Sequence, residues 1–132
     1  MSGIIYPGCC CNVCTQCDSA EPGAVVTISG TTDPWCLSAQ GNYIFSSYSL
    51  IGGSWCNWTA YHETLSDWRI ILETRYGMWT VAIIYEPGTP YYLVWYKQPV
   101  TEIVCNGGVL EASFTLPGGG PCLGSTASVT LT

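Results

Sequence analysis

Cysteine is the residue type in this sequence with the greatest capacity for chemistry. Nine cysteines occur among 132 residues, and five of them lie within the first 17 positions. An odd number cannot pair completely within one chain, so at least one thiol must be free, bound to a metal or bonded to another chain. The five early cysteines are Cys9, Cys10, Cys11, Cys14 and Cys17.

The spacing of these early cysteines allows three states. One is disulfide bonding, either as a tight knot or between subunits, and consecutive cysteines favour the second because neighbouring side chains of an extended segment point in opposite directions. Another is a tetrahedral zinc site of four thiolates, with the ligands Cys9, Cys11, Cys14 and Cys17. The third is a mixture that includes free thiols. We expect cross-links and no cofactor, with zinc as the open alternative.

The remaining cysteines, Cys36, Cys56, Cys105 and Cys122, lie in or beside the part of the chain that has strand character. All of them except Cys56 fall in predicted loops, where disulfides would staple the ends of the fold. The alternative is that they are buried free thiols, which pack as small apolar groups. Disulfides are expected, and the sequence leaves the three pairings of these four residues open.

Groups suited to catalysis are scarce. His62 is the only histidine, and the chain has no Gly-x-Ser-x-Gly nucleophile motif. The glycine run 118–120 lacks the Lys-Ser/Thr pair that completes a phosphate-binding loop. A carboxylate pair such as Glu73 with Glu111 would require two strands of unknown register. We therefore expect no enzymatic activity and assign no catalytic or cofactor-binding residue.

Aromatic side chains offer another kind of chemistry, the stacking of flat rings on sugars. The chain has six Trp and nine Tyr, which is many for its length. Trp68 and Trp79 lie on apolar strand faces and are expected in the core, whereas Trp58 and Trp95 are the candidates for sugar stacking. The tyrosines that add amphipathic rings are Tyr48, Tyr61, Tyr91, Tyr92 and Tyr96.

The charge of the chain excludes other classes of function. Three basic residues against nine acidic ones give a net charge of −6, and so few cations cannot follow a phosphate backbone. No apolar run approaches the roughly 18 residues of a membrane span. The first residues lack the basic and apolar regions of a signal peptide. We therefore expect no nucleic acid or membrane as partner, and a chain that is used where it is made or leaves the cell by another route.

The elements that must position these residues are strands. From Ala24 onward, apolar and polar residues alternate with period two, and Gly or Pro interrupts the alternation about every ten residues. Two of the predicted strands are 68–75, with Trp68, Ile70, Leu72 and Thr74 on one face, and 78–85. About eight such strands predict an all-β domain over 24–132, an antiparallel, jelly-roll-like β-sandwich, preceded by an irregular Cys-rich arm over 1–23. In the segment 81–84 both faces are apolar, which predicts a strand covered on both sides.

A surface with few charges suits close packing between subunits. Only 9% of the residues are charged, against about 25% in an ordinary soluble domain. The exposed side chains must therefore be largely Ser, Thr, Gly and Tyr, which repel one another little and lose little freedom at an interface. With the cysteine arm as a covalent lock, this composition predicts a self-assembling structural protein.

Several short motifs resemble those of small Cys- and Trp-rich β proteins encoded by bacteriophages and some environmental bacteria. The pattern begins with a cysteine cluster and continues through Val-Thr-Ile-Ser-Gly, Gly-x-Tyr and Gly-Ser-Trp strands. It ends in a Thr-rich strand that follows a cysteine. The corresponding segments here are 9–11, 26–30, 41–43, 53–55 and 122–131.

This resemblance implies a structural protein on the surface of a virion, of the capsid cement (decoration) type, synthesised in the host cytoplasm without a signal peptide. Its partners would be further copies of itself, with a trimer as the expected assembly, and the major capsid protein or other virion subunits. It would act through buried area and cross-links at the junctions between shell subunits. The alternatives are a subunit of a tail appendage or extracellular filament and, from a different class, a carbohydrate-binding module.

Overall fold

The structure is a computed structural model, and the residues that it describes are 23–51, 55–75, 78–88, 90–106 and 109–131. The expected arm over 1–23 lies outside these ranges, except for Gly23. The predictions for its cysteines therefore concern residues outside the described ranges, namely Cys9, Cys10, Cys11, Cys14 and Cys17. No helix within the described ranges combines the length and the apolar character that crossing a membrane requires.

Nine strands account for most of the described residues. Their bounds, from β1 to β9, are Gly23–Ser29, Gly41–Ile51, Trp55–His62, Trp68–Arg75, Met78–Tyr85, Tyr92–Lys97, Val104–Asn106, Val109–Pro117 and Thr126–Leu131. The helical structure of the same ranges is one turn of α-helix, α1 (Pro34–Leu37), and a 3-10 turn at Gly120–Cys122.

The strands form one antiparallel sheet that curls into a nearly closed barrel. Their order is β6-β5-β4-β3-β2-β1-β9-β8-β7, so β1 pairs with both β2 and β9. Eight strands go round the barrel, and the three-residue β7 pairs with the start of β8. The prediction of an all-β antiparallel fold is confirmed.

The sandwich, or jelly-roll-like, arrangement is not confirmed, and a barrel-like sheet is seen in its place. The physical reason is that alternation tells which face of a strand is buried. It does not tell whether that face packs on a second sheet or on the far wall of the same sheet.

The barrel closes where β6 meets the end of β8. Trp95 forms an isolated bridge with Gly118, and the N–H of Gly119 donates to the carbonyl oxygen of Val94 at 2.7 Å. A Cβ atom on Gly118 would lie 2.7 Å from Ser125 Oγ and 2.9 Å from Trp95 Nε1. The two strands can approach this closely because position 118 carries no side chain.

The barrel interior is a packed hydrophobic core. Inward and outward residues alternate along β4, where Trp68, Ile70, Leu72 and Thr74 are buried and share the face that the sequence predicts. The rings of Trp68 on β4 and Trp95 on β6, two strands that flank β5, are in contact inside the barrel with centroids 5.8 Å apart. The core is therefore largely aliphatic, with the three buried tryptophans Trp58, Trp68 and Trp95 as its largest side chains.

One end of the barrel is covered by α1. Asp33 caps this helix, since its Oδ1 accepts a hydrogen bond from the N–H of Trp35 at 2.8 Å. The Trp35 ring packs on Trp68 and Tyr85 with centroids 4.9 and 5.1 Å away. The helix thereby extends the core to the mouth of the barrel.

Strand β5, on the opposite side of the barrel from β1, has buried apolar residues on both of its faces over 81–84. In β5, inward Val81 and Ile83 and outward Ala82 and Ile84 are all at most 9% exposed, which confirms the prediction of a strand covered on both sides. β5 lies opposite β1, with three strands between them in either direction round the barrel.

Next to it, β6 contains a bulge. The register shifts between the pairs Ile83–Trp95 and Ile84–Leu93, which leaves Val94 as an extra residue. A bulge re-aims the side chains that follow it. Leu93 and Tyr96 consequently share the outer face of the barrel.

Candidate functional site

The two tryptophans expected to stack on sugars lie in the core. Trp58 and Trp95 are 1% and 0% exposed, and the indole N–H of Trp95 donates to Ser125 Oγ at 3.0 Å. A sugar ring cannot reach either indole, so this expectation is corrected. Both residues occupy inward positions of their strands, where a large ring buries much apolar area.

One of the expected disulfides is present in the described ranges. Cys36 of α1 is bonded to Cys122 of the 3-10 turn, with Cα atoms 5.8 Å apart. The prediction that loop cysteines staple an end of the fold is confirmed for this pair. Cys56 lies in β3, and Cys105 lies in β7, where the sequence predicts a loop. A disulfide at either of these two residues stays a prediction.

His62 is held by hydrogen bonds on both ring nitrogens. Its Nε2 donates to the carbonyl oxygen of Gln40 at 2.8 Å, and its Nδ1 accepts from the N–H groups of Leu65 at 3.0 Å and Thr64 at 3.2 Å. These contacts fix one neutral tautomer. The ring ties the end of β3 to the turn that follows it and has no free lone pair for proton abstraction.

Reactive and metal-binding groups are dispersed in the part of the chain that the structure describes. No group of three or more His, Cys, Asp or Glu side chains is arranged there to hold a metal ion. Glu73 lies in β4 and Glu111 in β8, which are not neighbouring strands. The zinc alternative concerns residues outside the described ranges. The remaining candidates for a functional site are exposed surfaces and grooves.

The most unusual of these surfaces is a ridge along β6 and the residue before it. It consists of Tyr91, Tyr92, Leu93 and Tyr96, which are 59%, 56%, 51% and 39% exposed. We call these four residues the aromatic ridge. Contiguous exposed apolar side chains mark interaction sites on soluble proteins, and none of these four carries a charge at neutral pH.

A groove of about 680 Å³, the end groove, lies beside this ridge at the end of the barrel that α1 covers. Its walls include Trp35 and Tyr85 of the barrel end, Tyr92 of the ridge and Pro121 of the 3-10 turn. The lining is mostly aromatic and apolar, so the end groove continues the character of the ridge.

A second groove, the outer groove, has a volume of about 420 Å³ and lies on the outer face of β4, β5 and β6. Its floor is the buried outer face of β5, formed by Thr80, Ala82 and Ile84. Ridge residues line one side, and outward residues of β4 line the other. Unlike the end groove, it contains several polar groups.

Arg69 is the most constrained of these polar groups. Its Cζ lies 4.8 Å from the ring centroid of Tyr61, and its Nη2 lies 3.1 Å from Glu86 Oε1. Its Nε is buried without a hydrogen-bond partner among the described residues, and the same is true of Thr80 Oγ1. The outer groove therefore combines fixed polar atoms with an apolar floor.

Comparison with known proteins gives no match. No family model, no curated protein and no solved structure matches this chain. The features that bear on function are the aromatic ridge and its two grooves.

The sequence contains signals for part of this surface. Tyr91, Tyr92 and Tyr96 stand out as amphipathic rings, although the sequence does not place them in one site. Thr80 is a polar residue between two apolar ones, which is ordinary for a strand, and Arg69 alternates in the same way. Only the register of β4, β5 and β6 brings these residues to one groove.

Proposed function

We propose that the protein is a non-enzymatic structural subunit of a virion, of the capsid cement type, which associates with further copies of itself and with other virion subunits. The observation that carries the proposal is the aromatic ridge, a row of four exposed side chains with no charge among them. The resemblance to phage-encoded β proteins supports the virion as its setting.

Tyrosine is well suited to such an interface. It is enriched where proteins associate because it buries a large rigid ring and still satisfies a hydroxyl group at the rim. A ridge that exposes three tyrosines and a leucine beside an aromatic groove offers a surface that a protein partner can desolvate at low cost.

The net charge of the chain favours an identical subunit as the molecule that binds the ridge. Each copy carries a net charge of −6, so two copies repel one another wherever their acidic residues meet. An uncharged ridge allows contact between identical subunits without that repulsion. Cross-links between the early cysteines, as the sequence predicts, would then make the association covalent.

The test compares two double variants of the full chain. Tyr91→Ser with Tyr92→Ser removes the two most exposed side chains of the ridge, whereas Val25→Ser with Ile44→Ser removes exposed apolar side chains from β1 and β2. We expect a discrete oligomer for the wild type by sedimentation velocity and native mass spectrometry, and about tenfold or greater weakening in the ridge variant alone. The trimer predicted above is the state to look for.

Two results would overturn the proposal. One is a wild-type protein that stays monomeric at all concentrations and does not sediment with phage shells. The other is equal weakening in both double variants, which would mean that the ridge is not the interface. Growth into open polymers instead of a closed ring would favour the filament or tail-appendage alternative, because only a rotation that closes gives a finite assembly.

A further inference from the structure

A tight turn after the 3-10 turn presents a leucine at its tip. The N–H of Ser125 donates to the carbonyl oxygen of Cys122 at 3.0 Å, and between them lie Leu123, with φ −58° and ψ 134°, and Gly124, with φ 90°. These angles describe a type II β-turn, which we call the leucine turn (122–125). Leu123 is 80% exposed, more than any other large hydrophobic residue of the described ranges.

The turn itself does not require a leucine. A type II turn needs a residue that adopts positive φ at its second central position, which Gly124 supplies, whereas the first central position accepts proline and most other residues. A side chain that stays in water contributes no buried apolar area to folding. Single exposed apolar residues are common on proteins, but Leu123 is distinguished by the rigidity of its turn and by the groove beside it.

Several contacts hold the leucine turn in place. Cys122 is bonded to Cys36 of α1, and its carbonyl oxygen also accepts a hydrogen bond from Ser125 Oγ at 2.6 Å. The N–H of Leu123 donates to the carbonyl oxygen of Gly120 at 3.2 Å. Cys122 and Ser125 are both buried, so the two ends of the turn are anchored in the barrel. A side chain that is positioned before binding loses little freedom when a partner buries it.

The end groove lies next to the leucine turn. Pro121, two residues before Leu123, is part of its wall, and Leu123 is not among the residues that line it. The leucine side chain therefore points into solvent and leaves the groove of its own chain open. The lining contains one charged residue, Asp33, whose carboxylate already accepts the hydrogen bond that caps α1. The groove thus suits an apolar, uncharged side chain.

A second copy of this chain supplies such a side chain. Leu123 matches the apolar lining, and it brings no charge toward Asp33 or toward a molecule whose net charge is −6. Each copy carries both the groove and the leucine turn, so the same contact can recur in every copy of an assembly. Burial of Leu123 in the groove would remove apolar surface from water on both copies.

We propose that Leu123 of one copy inserts into the end groove of another copy and anchors their association. This inference rests on the proposed function, because Tyr91, Tyr92 and Leu93 of the aromatic ridge also line the end groove. It deepens that function by naming the side chain that the partner contributes and the groove that receives it.

The first experiment measures the association of full-chain variants by sedimentation velocity. Leu123→Ser removes the apolar side chain, Leu123→Met keeps one of similar volume, and Leu65→Ser is the matched control at another exposed leucine. We expect association about tenfold or more weaker in Leu123→Ser and close to that of the wild type in the other two variants. All three should unfold at the urea concentration of the wild type, because both sites are exposed.

The second experiment identifies what the leucine contacts. A chain in which residue 123 is a photoreactive diazirine analogue of leucine is mixed with isotopically labelled wild type, irradiated and cleaved into peptides for mass spectrometry. We expect the unlabelled peptide that contains residue 123 to be joined to labelled peptides that contain Trp35 or Tyr92. The isotopic label distinguishes contact between copies from contact within one chain.

Wild-type association in Leu123→Ser would overturn the inference, as would equal loss in Leu123→Ser and Leu65→Ser or cross-links that avoid the end groove. The ridge variant, Tyr91→Ser with Tyr92→Ser, separates this failure from failure of the proposed function. If the ridge variant weakens association and Leu123→Ser does not, the ridge remains the interface and the leucine contact alone is rejected. A wild type that stays monomeric rejects both.

Discussion

Two buried hydroxyl groups in the barrel wall differ in their surroundings. The phenol of Tyr43 donates to the carbonyl oxygen of Ala39, whereas Thr80 Oγ1 has no partner among the described residues. A buried hydroxyl contributes to stability when it is paired and lowers stability when it is not. At the scale of single residues, Tyr43 therefore stabilises the fold, whereas the unpaired hydroxyl of Thr80 lowers its stability.

Tyr43 makes the stability of the barrel sensitive to alkaline pH. Burial raises the pKa of its phenol above the ordinary value near 10. Above about pH 10 the unfolded chain releases a proton that the folded chain keeps, so this contribution to stability is complete below that pH and declines as the pH rises. The decline from this one group is about 1.4 kcal/mol per pH unit.

We expect Tyr43→Phe to lower the free energy of unfolding by about 1 kcal/mol at pH 7, through the lost hydrogen bond. The same variant should show a shallower loss of stability between pH 10 and 11.5. Urea unfolding followed by tryptophan fluorescence measures both effects, with Tyr91→Phe at an exposed position as the control. A wild-type pH profile in Tyr43→Phe would contradict the prediction.

At the scale of elements, alternation alone locates several strands. β4 and β5 begin and end at the residues that the alternation predicts, and the inward face of β4 is the predicted one. These features depend on neighbouring residues of the same strand, so they are encoded locally. The prediction that both faces of β5 are covered is local for the same reason.

Other features depend on partner strands and could not be predicted. Val94 can be recognised as an extra residue only from the pairing of β6 with β5. The bridge at Gly118 can be recognised only from its contact with β6. Trp58 and Trp95 were expected at the surface because the sequence does not fix which face of their strands turns inward. The outer groove was missed because its residues come from three strands.

The closing bridge of the barrel yields a prediction about Gly118. Gly118→Ala places a methyl group within 3 Å of Trp95 Nε1 and Ser125 Oγ, which are hydrogen-bonded to each other. We expect a loss of about 2 kcal/mol in the free energy of unfolding, as for other overpacked sites. Gly88→Ala is the matched control, since nothing lies within 4 Å of its added Cβ. Similar urea midpoints for the two variants would show that the contact at Gly118 does not constrain the closure.

At the scale of the whole molecule, the disulfide links regions that are far apart in sequence. Cys36 and Cys122 are 86 positions apart, so their bond removes many conformations from the unfolded chain. By the chain-entropy argument this corresponds to about 4.6 kcal/mol. It also holds α1 over the tryptophans at the end of the core.

We expect the double variant Cys36→Ala with Cys122→Ala to remain β-rich by circular dichroism and to lose about 3 kcal/mol or more of unfolding free energy. Urea unfolding at pH 7 is the measurement. The single variant Thr27→Val, an exposed change on β1, is the control for mutation as such. A double variant with the wild-type midpoint would mean that the bond does not contribute to stability.

The pairing of β1 with β9 also determines the order in which a newly made chain can finish folding. β2 follows β1 closely and can pair with it at once, whereas Leu131, the partner of Ala24, comes about a hundred residues later. At roughly 5–20 residues per second, one edge of β1 waits several seconds for its neighbour on the ribosome. An open strand edge is a template for any other chain, and nascent copies on one messenger are close together. Strand β9, which follows the other eight along the chain, thus also shields the open edge of β1 from the other copies made beside it.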